Sequence, residues 1–112
     1  MAPGPALEAL RTQAAQLADA FTPMGKGMST EFANRNTYDA IQVHGGMGFI
    51  EETGAAQHYR DAKILAIYEG TNGIQAVDLV TRKLPIGNGD HVRGFIVELA
   101  KIAGAVAASN LE

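Results

Sequence analysis

The chain has 112 residues, of which 46% are hydrophobic, and this length and composition indicate one small globular domain. Its net charge of −3 argues against a nucleic-acid partner, because phosphate binding needs a basic face, and the lack of cysteine excludes disulfides, a thiol nucleophile and a thiolate metal site. No apolar run approaches the roughly 20 residues that span a bilayer and no secretory pattern opens the chain, so we expect a cytoplasmic protein.

The N-terminal part predicts one amphipathic helix. Apolar side chains recur every three or four residues over about 6–21, which places them on one helical face. We expect Thr22-Pro23 to end this helix, because the residue before a proline disfavours helical backbone angles. Gly25 and Gly27 then predict a connection to the next helix.

A second and a third helix are predicted on either side of a glycine-rich bend. The second helix begins at residue 29 or 30 and runs to 43, with polar residues interrupting its apolar pattern. The glycines of 45–48 are expected to end it, since glycine tolerates the left-handed conformation that closes helices. Thr53 is a candidate N-cap for a short third helix over 54–61.

Two more helices complete the prediction. Thr71 can cap a fourth helix, which Pro85 and the glycine-rich 87–89 run should end, and Asp90 can cap a fifth. Their apolar stripes consist of Ile74, Val77, Val80 and Leu84, and of Val92, Phe95, Leu99, Ile102 and Val106. No alternating strand pattern occurs, so the sequence predicts an all-α fold, an antiparallel bundle of four or five helices.

The connection that precedes the fourth helix carries a carboxylate beside a glycine. The sequence predicts that Glu69 lies on a tight turn between two helices, and Gly70 leaves room for another group to approach the backbone. A carboxylate held at a helix start in an apolar setting can act as a base. The alternative is a solvated loop glutamate without a chemical role.

Three motifs follow one another in a fixed order. They are Gln-Val-His-Gly-Gly-Met-Gly at 42–48, Tyr-Arg-Asp-Ala at 59–62 and Tyr-Glu-Gly-Thr at 68–71. The glycines alone match neither a dinucleotide fingerprint, which follows a strand, nor a P-loop, which needs a lysine and a hydroxyl. Together, the motifs resemble the C-terminal helical domain of the acyl-CoA dehydrogenases from about residue 17 to residue 84.

This resemblance implies a division of the chain. Residues 1–84 are expected to form part of that helical domain, 85–110 to begin an additional C-terminal helical segment found in one subgroup, and 111–112 to be a cloning scar. The family's N-terminal helical domain and central β-domain, which hold most of the flavin and the CoA, are absent. We therefore expect a fragment that neither binds FAD tightly nor turns over acyl-CoA.

The resemblance also implies a reaction. The family oxidises acyl-CoA thioesters to trans-2-enoyl-CoA: a glutamate takes the α-proton while the β-hydrogen leaves as hydride to N5 of FAD. Glu69 matches that base, and Gly70 matches the position whose backbone lies against the substrate. The expected partners are electron-transfer flavoprotein as electron acceptor and further copies of the chain in a dimer or tetramer.

Eight positions match the family's flavin contacts. They are Gln42, Val43, His44, Gly45 and Gly46 in the bend, and Thr71, Asn72 and Gly73 after the glutamate. The bend is expected to contact a flavin held mainly by the neighbouring subunit, with glycine N–H groups near the pyrophosphate; a plain helix stop is the alternative. The family often has glutamine where this chain has Gly73, so a side-chain contact is lost there.

Other polar residues receive structural interpretations. Arg60 and Asp61 are expected to form an ion pair that fixes the end of the third helix. His58 and His91 are not spaced with carboxylates as a metal site requires, so no metal is expected. Two alternatives to the dehydrogenase remain open, namely an acyl-CoA oxidase or otherwise diverged member of the superfamily and a non-catalytic helical interaction module.

Overall fold

The computed structural model describes residues 4–109, which fold into helices joined by short turns, without a strand among them. The five α-helices are α1 (Pro5–His44), α2 (Gly46–Phe49), α3 (Ala55–Leu65), α4 (Asn72–Asp78) and α5 (Asp90–Ala108). Short 3-10 turns occupy Glu51–Thr53 and Ile86–Gly89, and α4 continues into one π-helical turn at Leu79–Lys83. The prediction of an all-α fold is confirmed.

The first two predicted helices are one continuous helix, so the predicted break at Thr22-Pro23 is wrong. Pro23 lies inside α1 and is buried. A proline in a helix has no N–H, so one hydrogen bond of the helix is lost at Pro23. Next to it, the Thr22 hydroxyl donates to the Ala18 carbonyl at 2.8 Å. Contacts support α1 on both sides of Pro23, with Phe21 packed against Phe95 of α5 before it and Asn34 donating to the Ala62 carbonyl of α3 after it. This packing outweighs the local preference for a break.

Glycine and threonine set the other helix boundaries. Gly45 ends α1 with φ 59°, and the Thr71 hydroxyl caps α4 by accepting from the Ile74 N–H at 3.3 Å, both as predicted. Thr53 does not cap α3, because its hydroxyl donates to the Met47 carbonyl at 2.7 Å and Gly54 takes the cap position. Similarly, α5 is preceded by Gly89 and not capped by Asp90.

The buried core is small and built from small side chains. Its apolar members are Pro23 and the alanines Ala20, Ala55, Ala62 and Ala66, and three of these alanines lie on or next to α3 where it packs against α1. The stripe predicted to face inward from the fourth helix is largely exposed: Ile74 and Val77 on α4 and Val80 on the π-helical turn are 59%, 57% and 62% exposed. That part of the prediction is wrong within this chain.

The dimensions agree with this open packing. The radius of gyration is 20.4 Å, whereas a compact domain of this length has a radius near about 13 Å. The accessible surface is 8219 Å², against about 5,900 Å² expected for a compact monomer of this mass. The helices therefore leave large apolar faces that no part of residues 4–109 covers. None of the helices in the described part is long and apolar enough to cross a membrane.

Candidate active site

The connection between α3 and α4 is a tight turn with an unusual backbone. Glu69 has φ 53°, in the left-handed region, and Gly70 follows with φ 83°. This conformation costs a residue with a side chain about 1–2 kcal/mol, and such strained residues concentrate at functional sites. The turn closes through the Asn72 N–H, which donates to the Ala66 carbonyl at 3.1 Å. Glu69 thus lies between two helices, as predicted.

Two side chains hold successive carbonyl groups of this turn. Gln75 Nε2 donates to the Glu69 carbonyl at 2.9 Å, and Lys26 Nζ donates to the Gly70 carbonyl at 2.8 Å. The Glu69 carboxylate itself is exposed and makes no hydrogen bond or ion pair with any residue of 4–109. Hydrogen bonds therefore fix the backbone of the turn, while the Glu69 carboxylate remains accessible to another molecule.

Gly70 has little free space around it. A Cβ at this position would lie 3.3 Å from Gln75 Nε2 and 3.3 Å from Ile74 Cγ2. Together with the positive φ, this crowding means that a larger residue would disturb the turn. Gly73, by contrast, is exposed on the first turn of α4, where an added Cβ would meet only the Thr71 hydroxyl at 3.7 Å.

Asn72 joins the turn to the middle of α1. Its Oδ1 accepts from Lys26 Nζ at 3.0 Å, and its Nδ2 donates to Glu31 Oε1 at 2.9 Å and lies 3.0 Å from the Thr30 hydroxyl. The family resemblance predicts a flavin contact for Asn72, and the sequence does not indicate this structural role or the roles of Lys26 and Thr30. Because these partners lie more than 40 residues away along the chain, no local pattern signals them.

The glycine bend at the end of α1 is exposed. Gln42, Val43, His44, Gly45 and Gly46 all face solvent, and Val43 is 86% exposed. The bend is closed by the Gly45 N–H, which donates to the Gln42 carbonyl at 3.0 Å, and by the Gly48 N–H, which donates to Gly45. No atom lies within 4 Å of a Cβ placed on Gly45 or Gly46, so another molecule can approach the backbone there.

Gly48, in contrast, is buried. A Cβ there would collide with the Ile41 carbonyl oxygen and lie 2.9 Å from His44 Cβ. The missing side chain lets α2 fold back closely against the last turn of α1. Packing against α1 is therefore a second reason for glycine in this motif, which sequence analysis treated as a helix stop.

The structure keeps the two groups of predicted site residues apart. The Glu69 turn is bound to α1 at Lys26, whereas the bend begins at Gln42, 16 residues further along the same helix. At 1.5 Å per residue, this separation is about 24 Å along the helix axis. The two groups therefore do not line one cleft within a single chain.

Arg60 has a different partner from the one predicted. Its guanidinium pairs with Glu51 Oε1 at 2.7 Å, and α3 continues past Asp61 to Leu65. The predicted Arg60–Asp61 pair at a helix end is therefore wrong; the observed pair joins α3 to the turn before it. Within residues 4–109, no three His, Asp or Glu side chains are grouped as metal ligands.

Comparison with known proteins gives the class of this chain. A sequence model described as the acyl-CoA dehydrogenase C-terminal domain matches residues 6–84. The chain belongs to this family, and the matched segment includes both the glycine bend and the Glu69 turn.

Individual relatives are all longer proteins. The chain is 47% identical over 100 residues to 3-methylmercaptopropionyl-CoA dehydrogenase of Ruegeria pomeroyi, covering 89% of this chain and 17% of the relative. It is 37% identical over 93 residues to the broad-specificity linear acyl-CoA dehydrogenase FadE5 of Mycobacterium tuberculosis, with 83% and 14% covered. It is also 52% identical over 52 residues to the mitochondrial short-chain specific acyl-CoA dehydrogenase of Sus scrofa, with 46% and 13% covered. The chain spans less than a fifth of the length of each.

Proposed function

We propose that this chain is part of a flavoenzyme that converts acyl-CoA thioesters to trans-2-enoyl-CoA, with Glu69 as the base. The observation that carries the proposal is the left-handed backbone of Glu69, combined with a carboxylate that has no partner among the described residues. Strain of this kind is retained where a side chain must point in one direction. Membership of the acyl-CoA dehydrogenase family supplies the chemical class.

The proposed step requires Glu69 to remove a weakly acidic proton. The Glu69 carboxylate takes the α-proton of the thioester, and the electrons of that C–H bond form the new double bond as hydride leaves the β-carbon. FAD, when bound, supplies the two-electron acceptor at N5. The thioester would lie against the Gly70 backbone close to the carboxylate, on the side away from Gln75 and Ile74.

The residues of the bend suit a phosphate-bearing cofactor. Gly45 and Gly46 have open space around them and a solvent-facing backbone, so a phosphate group could lie against the bend. The Gly45 N–H already donates to the Gln42 carbonyl, which leaves the Gly46 N–H as the proposed donor to the anion. Gln42, Val43 and His44 would line the same contact, while Thr71, Asn72 and Gly73 would contact the flavin near the base. Because about 24 Å of helix separates these groups, we propose that they serve two different flavins in an assembled enzyme.

The exposed surface supports such an assembly. The chain exposes about 2,300 Å² more than a compact monomer of its mass, an area comparable with that buried in obligate complexes. We propose that further domains and further copies of the protein, as a dimer or tetramer, cover these faces. Electron-transfer flavoprotein is the proposed electron acceptor. The isolated chain should then neither hold FAD tightly nor turn over substrate.

The decisive experiment uses the full-length protein that carries this segment. Glu69→Gln should lower kcat for a panel of acyl-CoA substrates by about 10²–10⁴-fold, the usual contribution of a positioned base, with the flavin spectrum unchanged. Glu98→Gln, which alters an exposed glutamate on α5, is the matched control and should keep full activity. If Glu69→Gln retains most of the turnover, the base lies elsewhere.

A second measurement tests the isolated chain. FAD is titrated into the purified 112-residue protein and the change in flavin fluorescence is followed, together with dye reduction in the presence of acyl-CoA. We expect no saturable binding in the micromolar range and no dye reduction. Micromolar binding or turnover would contradict the expectation that further domains are required.

A further inference from the structure

Lys26 occupies an unusual position for a lysine in this chain. It lies in the middle of α1, is half-buried, and donates to two neutral oxygens, the Gly70 carbonyl at 2.8 Å and Asn72 Oδ1 at 3.0 Å. Lys83 and Lys101 instead pair with carboxylates, those of Asp19 and Glu98. The Lys26 ammonium therefore acts on the backbone and cap of the turn that carries Glu69.

The point of attachment explains why this contact matters. Glu69 has positive φ, a conformation that a residue with a side chain adopts only when its surroundings hold it, and Gly70 follows with a positive φ that glycine adopts freely. The Lys26 hydrogen bond fixes the Gly70 carbonyl, and Gln75 fixes the Glu69 carbonyl. A charge-assisted hydrogen bond is about twice as strong as a neutral one, so Lys26 is the stronger of the two restraints.

The attachment extends beyond Lys26. Asn72, which accepts from Lys26, is itself bound to the Thr30 hydroxyl and to Glu31 one turn further along α1. The turn is thus fastened to consecutive turns of one long helix and cannot rotate about a single contact. The turn that carries Glu69 is therefore anchored to α1, with 44 positions of sequence between Lys26 and Gly70.

We propose that Lys26 is a positioning residue for the reaction. It holds the Gly70 carbonyl and thereby keeps the Glu69 carboxylate where it can reach the α-carbon of the substrate. This inference rests on the proposed function of Glu69 as base. Without the ammonium, the strained turn relaxes and the carboxylate moves away from its reactive geometry, while Asn72 keeps its hydrogen bonds to Thr30 and Glu31.

The test compares variants of the full-length holoenzyme. Lys26→Met keeps the length of the side chain and removes the donor, Lys26→Arg keeps a charged donor, and Lys101→Met alters an exposed lysine on α5 as a control. For each variant, kcat, KM, flavin content, melting temperature and the isotope effect with α-deuterated substrate are measured.

We expect Lys26→Met to lower kcat about 10- to 100-fold, since a displacement near 1 Å has effects of this size, with KM and flavin content within about twofold. The isotope effect should increase, because proton removal becomes slower relative to the other steps. Lys26→Arg should recover most of the lost rate, and Lys101→Met should behave like the wild type.

Two results overturn the inference. One is a kcat of Lys26→Met within about twofold of the wild type; the other is a fall in kcat that follows flavin loss or a lower melting temperature with the isotope effect unchanged. If Lys26→Met does not fold, Lys26→Ala, which also removes the donor, is measured by the same criteria. Glu69→Gln in parallel separates the two proposals: if it retains turnover the base assignment fails, and if it alone loses turnover only the role of Lys26 fails.

Discussion

The Glu69 turn and the glycine bend are both family motifs attached to α1, but they are held in different ways. Side-chain hydrogen bonds from Lys26 and Asn72 fasten the turn. Close backbone packing at Gly48 holds the bend, whose other residues face solvent. The difference follows from which group each motif exposes. The turn exposes a carboxylate whose direction must be fixed, and hydrogen bonds are directional. The bend exposes its backbone, which only small residues leave accessible.

The largest stability effect is expected where backbone packing is tightest. Gly48→Ala places a Cβ against the Ile41 carbonyl and 2.9 Å from His44 Cβ, so backbone must shift. Overpacking of this kind destabilises by about 1–3 kcal/mol. Gly46→Ala in the same bend meets nothing within 4 Å and should change stability by less than about 0.5 kcal/mol. Urea unfolding of the chain measures both, and equal effects would show that Gly48 is not needed for packing.

Breaking the polar attachment of the turn should have a somewhat smaller effect. Asn72→Ala removes the bonds to Thr30 and Glu31 and leaves the half-buried Lys26 with one acceptor, so we expect a loss of about 1–2 kcal/mol. Asn36→Ala, on the exposed side of α1, is the matched control and should be neutral or slightly stabilising. Urea unfolding midpoints of the two variants are compared with that of the wild type. An Asn72→Ala midpoint equal to that of the wild type would mean that the stability of the turn does not depend on this amide.

The strain at Glu69 can be measured with two substitutions at one position. Both Glu69→Ala and Glu69→Gly remove the carboxylate, but only glycine adopts φ 53° without a steric penalty. Glu69→Gly should therefore be more stable than Glu69→Ala by about 1 kcal/mol, as judged by thermal or urea unfolding. Equal stabilities would indicate that the turn relaxes and that the wild-type conformation stores no strain.

Local sequence patterns predicted the features that depend on local chemistry. Helical periodicity indicated an all-α fold, Gly45 ended α1 and Thr71 capped α4, because each of these depends on residues within one turn. The position of Glu69 between two helices followed from the same signals. The roles of Lys26 and Thr30 did not, since hydrogen bonds spanning more than 40 residues leave no periodic trace.

Two wrong predictions share one physical cause, which is packing that lies outside the local window. Pro23 was expected to stop a helix, but contacts with other helices on both sides of it keep α1 continuous. The stripe of Ile74, Val77 and Val80 was expected to face a core, but no other part of the described chain covers it. Periodicity identifies an apolar face and does not say which chain or domain packs against it.

The smallest predicted effect concerns the continuity of α1. Gly25 is helical, and a Cβ there would meet nothing within 4 Å, so Gly25→Ala should stabilise the chain by about 0.5–1 kcal/mol through helix propensity. Gly54→Ala is the matched control, because the space around it is equally open while its φ is 76°, and it should destabilise by about 1 kcal/mol. The free energy of unfolding in urea should therefore rise for Gly25→Ala and fall for Gly54→Ala. Both positions have open space for the added methyl group, but only Gly54 has a positive φ. If Gly25→Ala instead destabilises as Gly54→Ala does, Gly25 lies in a turn and the helix is interrupted after Pro23.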